Sequence, residues 1–222
     1  MKYIIANWKA HKTRAEASAW VDSITEKISR SPEVAQKLDQ DQLRILVACP
    51  FPYLSDLSQK ITRKNLQVTS QDVSVFDEGP HTGETTAKML EGLVVYVLVG
   101  HSERRDNFHE TDEVVLKKAE LAVKYNLTPI VCIQDESNVV PPDSIIAYDP
   151  KEAIGTGKNI LSEDISSLKK KLSLPQGTVF LYGGSVNEQN IGDYLLSQEI
   201  DGFLVGGASL DPDEFFTLIK KL

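Results

Sequence analysis

Eight short runs rich in Val, Ile and Leu recur along the chain, and longer polar stretches with helical spacing separate most of them. This alternation is typical of βα units around a parallel sheet, whose strands are buried on both faces and are therefore apolar throughout. The predicted strands lie at residues 3–7, 44–49, 66–70, 94–99, 128–132, 144–148, 178–182 and 202–205.

The stretches between most strands predict seven helices, at residues 14–28, 54–64, 84–91, 111–125, 162–172, 187–197 and 212–222. Between the fifth and sixth strands only residues 133–143 are available, and they include Pro141-Pro142. A proline pair cannot continue a helix, so we expect at most one or two turns, at residues 135–139. The helix at this point of the chain is lost or reduced.

No low-complexity linker or change of composition divides the 222 residues. We therefore expect one domain, residues 1–222, in which eight parallel strands close into a (β/α)8 barrel. An open, doubly wound sheet is the alternative. Both architectures place function at the carboxyl ends of the strands.

Composition narrows the classes of partner and compartment. A net charge of −8 disfavours nucleic acid or an anionic membrane as a partner, because such binding needs clustered basic surface. No run of 18 or more apolar residues occurs, and Asn7 comes too early for a signal-peptide core, so we expect a cytoplasmic protein. Cys49 and Cys132 each end a short apolar run, which favours buried reduced thiols over a disulfide or metal framework.

Reactive side chains stand where predicted strands end. Asn7 and Lys9 follow the first strand, His101 and Glu103 the fourth, and Asp149 the sixth. In a barrel these ends converge on one pocket. A carboxylate, an imidazole and an ammonium facing one cavity suit proton abstraction next to a carbonyl group. Singly, each residue also has an ordinary interpretation as a solvent contact, a satisfied polar group or an Asp-Pro turn.

Glycines follow the last three strands, as Gly155-Thr156-Gly157, Gly183-Gly184-Ser185 and Gly206-Gly207. Their exposed backbone N–H groups predict a cradle for a small anionic phosphate, for which no lysine cluster is needed. The alternative is that the glycines only permit tight turns.

The segment Gly100-His101-Ser102-Glu103-Arg104-Arg105 resembles a signature of the triosephosphate isomerase family. Asn7-Trp8-Lys9, the loop Ala153-Ile154-Gly155-Thr156-Gly157 and Gly206-Gly207 follow the same family's order, so the resemblance covers nearly the whole chain. It implies a TIM barrel that interconverts D-glyceraldehyde 3-phosphate and dihydroxyacetone phosphate through an enediolate, in glycolysis and gluconeogenesis, without metal or organic cofactor. The family combines a glutamate base with a neutral histidine and a closing loop.

The resemblance assigns roles residue by residue. Lys9 matches the electrostatic anchor, His101 the electrophile and Asp149 the base, while Glu103 matches the glutamate beside the histidine and Asn7 a substrate contact. The positions matching the phosphate-binding backbone are Gly155, Ser185, Gly206 and Gly207. The positions matching the mobile lid are Pro150, Lys151, Glu152, Ala153, Ile154, Gly155, Thr156, Gly157 and Lys158.

Two departures from the family pattern leave alternatives open. Asp149 replaces the usual glutamate, and Lys151 and Glu152 replace the valine and tryptophan that follow the Glu-Pro of most members. We hypothesise that the shortened fifth connection and this hinge carry Asp149 deeper into the pocket. The alternatives are a paralogue acting on another small phosphorylated carbonyl compound, and a phosphate-ligand binding protein with little turnover.

The resemblance also implies a homo-oligomer. Thr82 lies in the loop after the third strand, which in the family reaches into a neighbouring subunit's site. We expect a dimer, or a tetramer if a second interface covers the flank that lacks a helix.

Overall fold

The eight strands form one closed parallel barrel in the computed structural model, which describes residues 1–150 and 160–222. The strands follow one another around the barrel in chain order, and pairing of the last strand with the first closes it. They are β1 (Lys2–Asn7), β2 (Leu43–Cys49), β3 (Leu66–Ser70), β4 (Tyr96–Val99), β5 (Thr128–Ile133), β6 (Ile145–Tyr148), β7 (Phe180–Tyr182) and β8 (Gly202–Val205). The predicted barrel is confirmed, and the open sheet is wrong.

Helices pack around this barrel. Those within the described residues are α1 (Arg14–Ser29), α2 (Pro32–Asp39), α3 (Leu54–Lys60), α4 (Ala87–Leu90), α5 (Ser102–Asn107), α6 (Asp112–Lys124), α7 (Ser162–Lys171), α8 (Ile191–Leu195) and α9 (Pro212–Lys221). None of these helices is both long and apolar enough to cross a membrane.

The helix α1 shows how local sequence sets the boundaries. Thr13 accepts a hydrogen bond from the Glu16 N–H, and the Glu16 carboxylate accepts one from the Thr13 N–H at 2.7 Å, which forms a capping box. Trp20, Ile24 and Ile28 recur every four residues and face the barrel.

The predicted helices needed correction at several points. Helices α2 and α5 were not predicted, because each is short and carries few apolar residues. Helix α2 buries only Val34 and Leu38, and α5 has no apolar residue, so neither shows a helical period. The helices predicted at residues 54–64, 84–91 and 187–197 are shorter than expected. Ile61, for example, turns to extended backbone directly after α3.

Residues 134–144, which we call the β5–β6 strap, form turns and no helix, as predicted. Val139 and Val140 pack against the core in place of helical side chains. At the start of α6, the Asp112 carboxylate accepts hydrogen bonds from the Val139 N–H at 3.2 Å and from Arg105 Nη1 at 2.7 Å. Asp112 therefore ties the strap to the first turn of α6.

The apolar core has two layers, one inside the barrel and one between the strands and the helices. Cys132 faces the inner layer and Cys49 the outer one, and both are buried free thiols, as predicted. Burial raises the pKa of Cys49 to about 12 and raises the pKa of Cys132 well above its ordinary value.

A buried ion cluster lies beside the barrel and consists of Asp72, Arg104, Glu110 and Lys118. The Lys118 side chain, only 5% exposed, contacts Asp72 at 2.6 Å and Glu110 at 2.5 Å. Arg104 pairs with the same two carboxylates, at 2.8 and 2.6 Å. Burial raises the pKa of Asp72 despite these cations. The cluster joins the loop after β3 to α5 and α6.

The seam between β3 and β4 is short. Only Ser70 and Val97 stand in paired register across it, whereas six residues of β1 pair with β2. A side chain adds to this seam, because Thr69 Oγ1 donates a hydrogen bond to the Tyr96 carbonyl at 2.6 Å.

Candidate active site

A cavity of about 540 Å³ opens at the carboxyl ends of the strands. Its wall brings together most of the predicted site residues that the structure describes, although they come from five different strands. They are Asn7, Lys9, His101, Glu103, Asp149, Ser185, Gly206 and Gly207. The lid residues Lys151 to Lys158, with Gly155 among them, lie outside the described residues.

Lys9 stands in a left-handed backbone conformation, with a φ of 52°. Such a conformation is uncommon for a residue with a side chain, so neighbouring groups must hold it. The Lys9 N–H donates to Asn7 Oδ1 at 3.1 Å, and Gln71 Nε2 donates to the Lys9 carbonyl at 2.9 Å. The strand end thus directs the Lys9 side chain into the cavity.

The Lys9 ammonium contacts Glu103 Oε1 at 2.5 Å. The two side chains are 27% and 43% exposed, so solvent screens their attraction and an anionic ligand can compete for the ammonium. Space for the lysine depends on Gly206, because a Cβ there would lie 3.3 Å from Lys9 Cε. A Cβ at Gly207 would meet nothing within 4 Å.

His101 follows β4 and is held by the first turn of α5. Its Nδ1 accepts a hydrogen bond from the Glu103 N–H at 3.2 Å. An accepting Nδ1 carries no proton, so this geometry favours the neutral ring with its proton on Nε2. Nε2 lies 3.4 Å from Asp149 Oδ2.

Asp149 follows β6 and is 1% exposed. Its Oδ2 accepts hydrogen bonds from Ser102 Oγ at 2.7 Å and from the Ser102 N–H at 3.2 Å. Its backbone N–H donates to the Ile133 carbonyl at 2.7 Å, which continues the hydrogen bonding between β5 and β6. The carboxylate therefore has a defined position beside the imidazole.

The loop after β7 also lines the cavity and lies next to Asp149. A Cβ at Gly184 would lie 2.1 Å from the Tyr182 hydroxyl oxygen, so this position requires glycine. Burial raises the pKa of Tyr182, which stays protonated near neutral pH. Gly183 donates its N–H to the Tyr148 carbonyl at 2.7 Å, which ties the loop to the strand that precedes Asp149.

Three residues of this site were not singled out from the sequence. Ser102 binds Asp149, Gln71 holds the Lys9 backbone, and Asn190 contacts the loop after β7. Gln71 directly follows β3, so the strand-end rule that found His101 also points to it. Within the described part of the chain, no group of three or more His, Cys, Asp or Glu side chains is arranged to hold a metal ion.

A closed parallel barrel with a carboxylate, an imidazole and an ammonium at its carboxyl mouth defines the class of (β/α)8-barrel enzymes that move protons beside a carbonyl group. The family profile for triosephosphate isomerase matches residues 2–141 and 138–222. The chain belongs to the triosephosphate isomerase family.

Curated relatives agree with this assignment. The chain is 38% identical to the triosephosphate isomerase of Mesomycoplasma hyopneumoniae (strain 232), with 96% of each protein aligned. It is 38% identical to that of Prochlorococcus marinus (strain MIT 9301), over 96% of this chain and 95% of the relative. For Alkaliphilus oremlandii (strain OhILAs) the identity is 34%, over 98% of each. The predicted activity, an isomerase that interconverts triose phosphates, is thereby confirmed.

Proposed function

We propose that the chain interconverts D-glyceraldehyde 3-phosphate and dihydroxyacetone phosphate with Asp149 as the base, His101 as the electrophile and Lys9 as the electrostatic anchor. One observation carries this proposal. The Asp149 carboxylate lies 3.4 Å from His101 Nε2, at the wall of the cavity that Lys9 also lines.

The reaction moves one proton between neighbouring carbons and one between the oxygens that those carbons carry. Asp149 takes the proton from the carbon beside the carbonyl group, and the electron pair moves onto the carbonyl oxygen to form an enediolate. The Nε2–H of His101 donates to that oxygen, and the Lys9 ammonium stabilises its negative charge. The proton of the neighbouring hydroxyl group passes through the His101 ring to the enediolate oxygen, and the new carbonyl group forms as Asp149 returns its proton to the neighbouring carbon.

The phosphate group occupies the glycine-rich side of the cavity. Backbone groups of Ser185, Gly206 and Gly207 line that wall, and Lys9 is the adjoining cation. A local site of this kind is necessary because the chain as a whole carries a charge of −8. Gly155 and the lid, residues 150–158, complete the enclosure by closing over the bound substrate.

A coupled assay with glyceraldehyde 3-phosphate tests the proposal, with inorganic phosphate as the competing ligand. We expect turnover that Asp149→Asn abolishes and that phosphate inhibits competitively. Binding of triose phosphate without turnover would instead identify a binding protein, and turnover of a different phosphorylated carbonyl compound would identify a paralogue.

The finer assignments of assembly and compartment are part of the same proposal. We infer a cytoplasmic homodimer in which the loop carrying Thr82 reaches the neighbouring subunit, and a tetramer if the flank at the β5–β6 strap is also covered. Light scattering at micromolar concentration measures the assembly. A fully active monomer would contradict it.

A further inference from the structure

The loop of residues 183–185 needs support from behind, because two of its residues are glycines and it lines the cavity where the phosphate is proposed to bind. Glycine-rich backbone loses more conformational freedom on ordering than any other. A loop that must be ordered for each binding event weakens affinity, whereas a loop that is already ordered does not.

Asn190 supplies such support from the position before α8. Its Nδ2 donates a hydrogen bond to the Ser185 carbonyl at 2.6 Å, and its Oδ1 accepts one from the Asn187 N–H at 2.8 Å. The side chain is 4% exposed, so water competes weakly for either bond. One amide side chain therefore joins the last residue of this loop to Asn187.

One of these two bonds belongs to the start of α8. Asn187 Oδ1 accepts a hydrogen bond from the Asn190 N–H at 3.2 Å, while Asn190 Oδ1 accepts one from the Asn187 N–H, which is the reciprocal pattern of a capping box. The Nδ2 bond to the Ser185 carbonyl lies outside this pattern. It is directed to the loop, and helix stability does not explain it.

The position of Asn190 is fixed by the packing of α8 against the barrel. Tyr194, one turn further on, places its ring 4.6 Å from the ring of Tyr182 in β7 and 6.3 Å from that of Phe203 in β8. The Tyr182 hydroxyl in turn lies against Gly184. Helix α8 thus contacts the loop through Asn190 and the strand beneath it through Tyr194.

We infer that Asn190 is a positioning residue for phosphate binding: it holds the loop of residues 183–185 in its binding conformation before the substrate arrives. This inference rests on the proposed phosphate site. Asn190 makes no contact with the reacting carbons in this proposal. Loss of the Asn190 side chain should therefore weaken substrate binding and leave the proton-transfer steps intact.

Two variants test the inference in the intact protein. Asn190→Asp preserves the shape and the acceptor for Asn187 but cannot donate to the Ser185 carbonyl, while Asn190→Ala removes both bonds. We expect KM for glyceraldehyde 3-phosphate and Ki for inorganic phosphate to rise together by about tenfold, equivalent to about 1.4 kcal/mol, with kcat within about twofold of the parent. Asp193→Asn, an exposed change on the same helix, is the matched control and should alter none of these constants.

The outcomes separate the inference from the function on which it rests. If phosphate inhibits the parent competitively but both Asn190 variants keep the parental KM and Ki, the positioning role is refuted and the phosphate site stands. A fall in kcat at unchanged KM also refutes it, as does a lowered melting temperature with parental KM and Ki. If phosphate does not compete in the parent protein, the proposed phosphate site itself fails, and the inference fails with it.

Discussion

Substitution of Asp149 by glutamate adds one methylene to the proposed base, and the structure determines what that methylene can do. The backbone cannot retreat, because the Asp149 N–H is bonded to the Ile133 carbonyl and the preceding Tyr148 carbonyl accepts the Gly183 N–H, each at 2.7 Å. The side chain must therefore accommodate an extension of about 1.5 Å.

The carboxylate is already beside the imidazole, at 3.4 Å from His101 Nε2. An extension of about 1.5 Å toward that nitrogen would bring the oxygen well inside hydrogen-bonding distance, so a glutamate must turn away from it. A misplacement near 1 Å can cost on the order of 100-fold in rate, or roughly 2.7 kcal/mol. The intrinsic pKa values of the two carboxyl groups differ by only about 0.4 unit, so geometry outweighs basicity.

We therefore expect Asp149→Glu to leave kcat unchanged or to lower it, by up to about 100-fold, in the coupled assay with glyceraldehyde 3-phosphate. Asp106→Glu adds the same methylene at an exposed position of α5 and should leave kcat unaltered. A tenfold or greater rise in kcat for Asp149→Glu would refute the idea that the site compensates for the short side chain, while it supports Asp149 as the base. Full activity of Asp149→Asn would refute the base assignment itself, because an amide cannot accept the proton.

Three further predictions address the other charged and buried groups. Lys9→Met should raise KM and lower kcat, whereas His101→Gln should chiefly lower kcat, by on the order of 10²–10⁴-fold; steady-state kinetics with near-parental values for either variant would contradict its role. Cys49 and Cys132 should resist iodoacetamide in the folded protein near neutral pH, because burial raises both pKa values and only the thiolate reacts. Mass spectrometry measures the labelling, and a label on either thiol before denaturation would refute this prediction. Lys118→Met leaves the two carboxylates of the buried ion cluster with one cation and should lower the free energy of unfolding by about 3–5 kcal/mol. Circular dichroism should show a melting temperature lower by roughly 10 °C, and an unchanged melting temperature would show that the cluster contributes little to stability.

The sequence predicted the strands well because each is a short apolar run that ends at polar residues. The fourth strand was placed two residues early, since Val94 and Val95 continue the apolar run; Val95 is 44% exposed and lies outside β4. Composition cannot distinguish an exposed valine from a buried one. Short polar helices such as α5 are missed because they have too few apolar residues to show the helical spacing of a buried face.

Two signals predicted the candidate site: the positions of the strand ends and the resemblance to the family. His101 and Asp149 follow strands and were found, whereas Ser102 and Gln71 act on partners 47 and 62 residues away in the chain. The closed barrel creates these contacts, and although Gln71 stands at a strand end, nothing in the local sequence shows which partner it binds. The change from glutamate to aspartate was visible in the sequence, but the carboxylate's position beside the imidazole needed coordinates.

A closed barrel has no exposed strand edge. The short seam between β3 and β4 is the place where separation of two strands would most easily create a pair of such edges. With one residue pair in register there, a local fluctuation separates these strands more easily than any pair joined along its whole length. Amide protons at this seam would then exchange with solvent early. Such an opening would expose unpaired backbone edges on both strands, and β4 is apolar, so these edges could pair with another chain. The barrel's resistance to aggregation therefore depends on this seam and on the Thr69 side chain that bridges it.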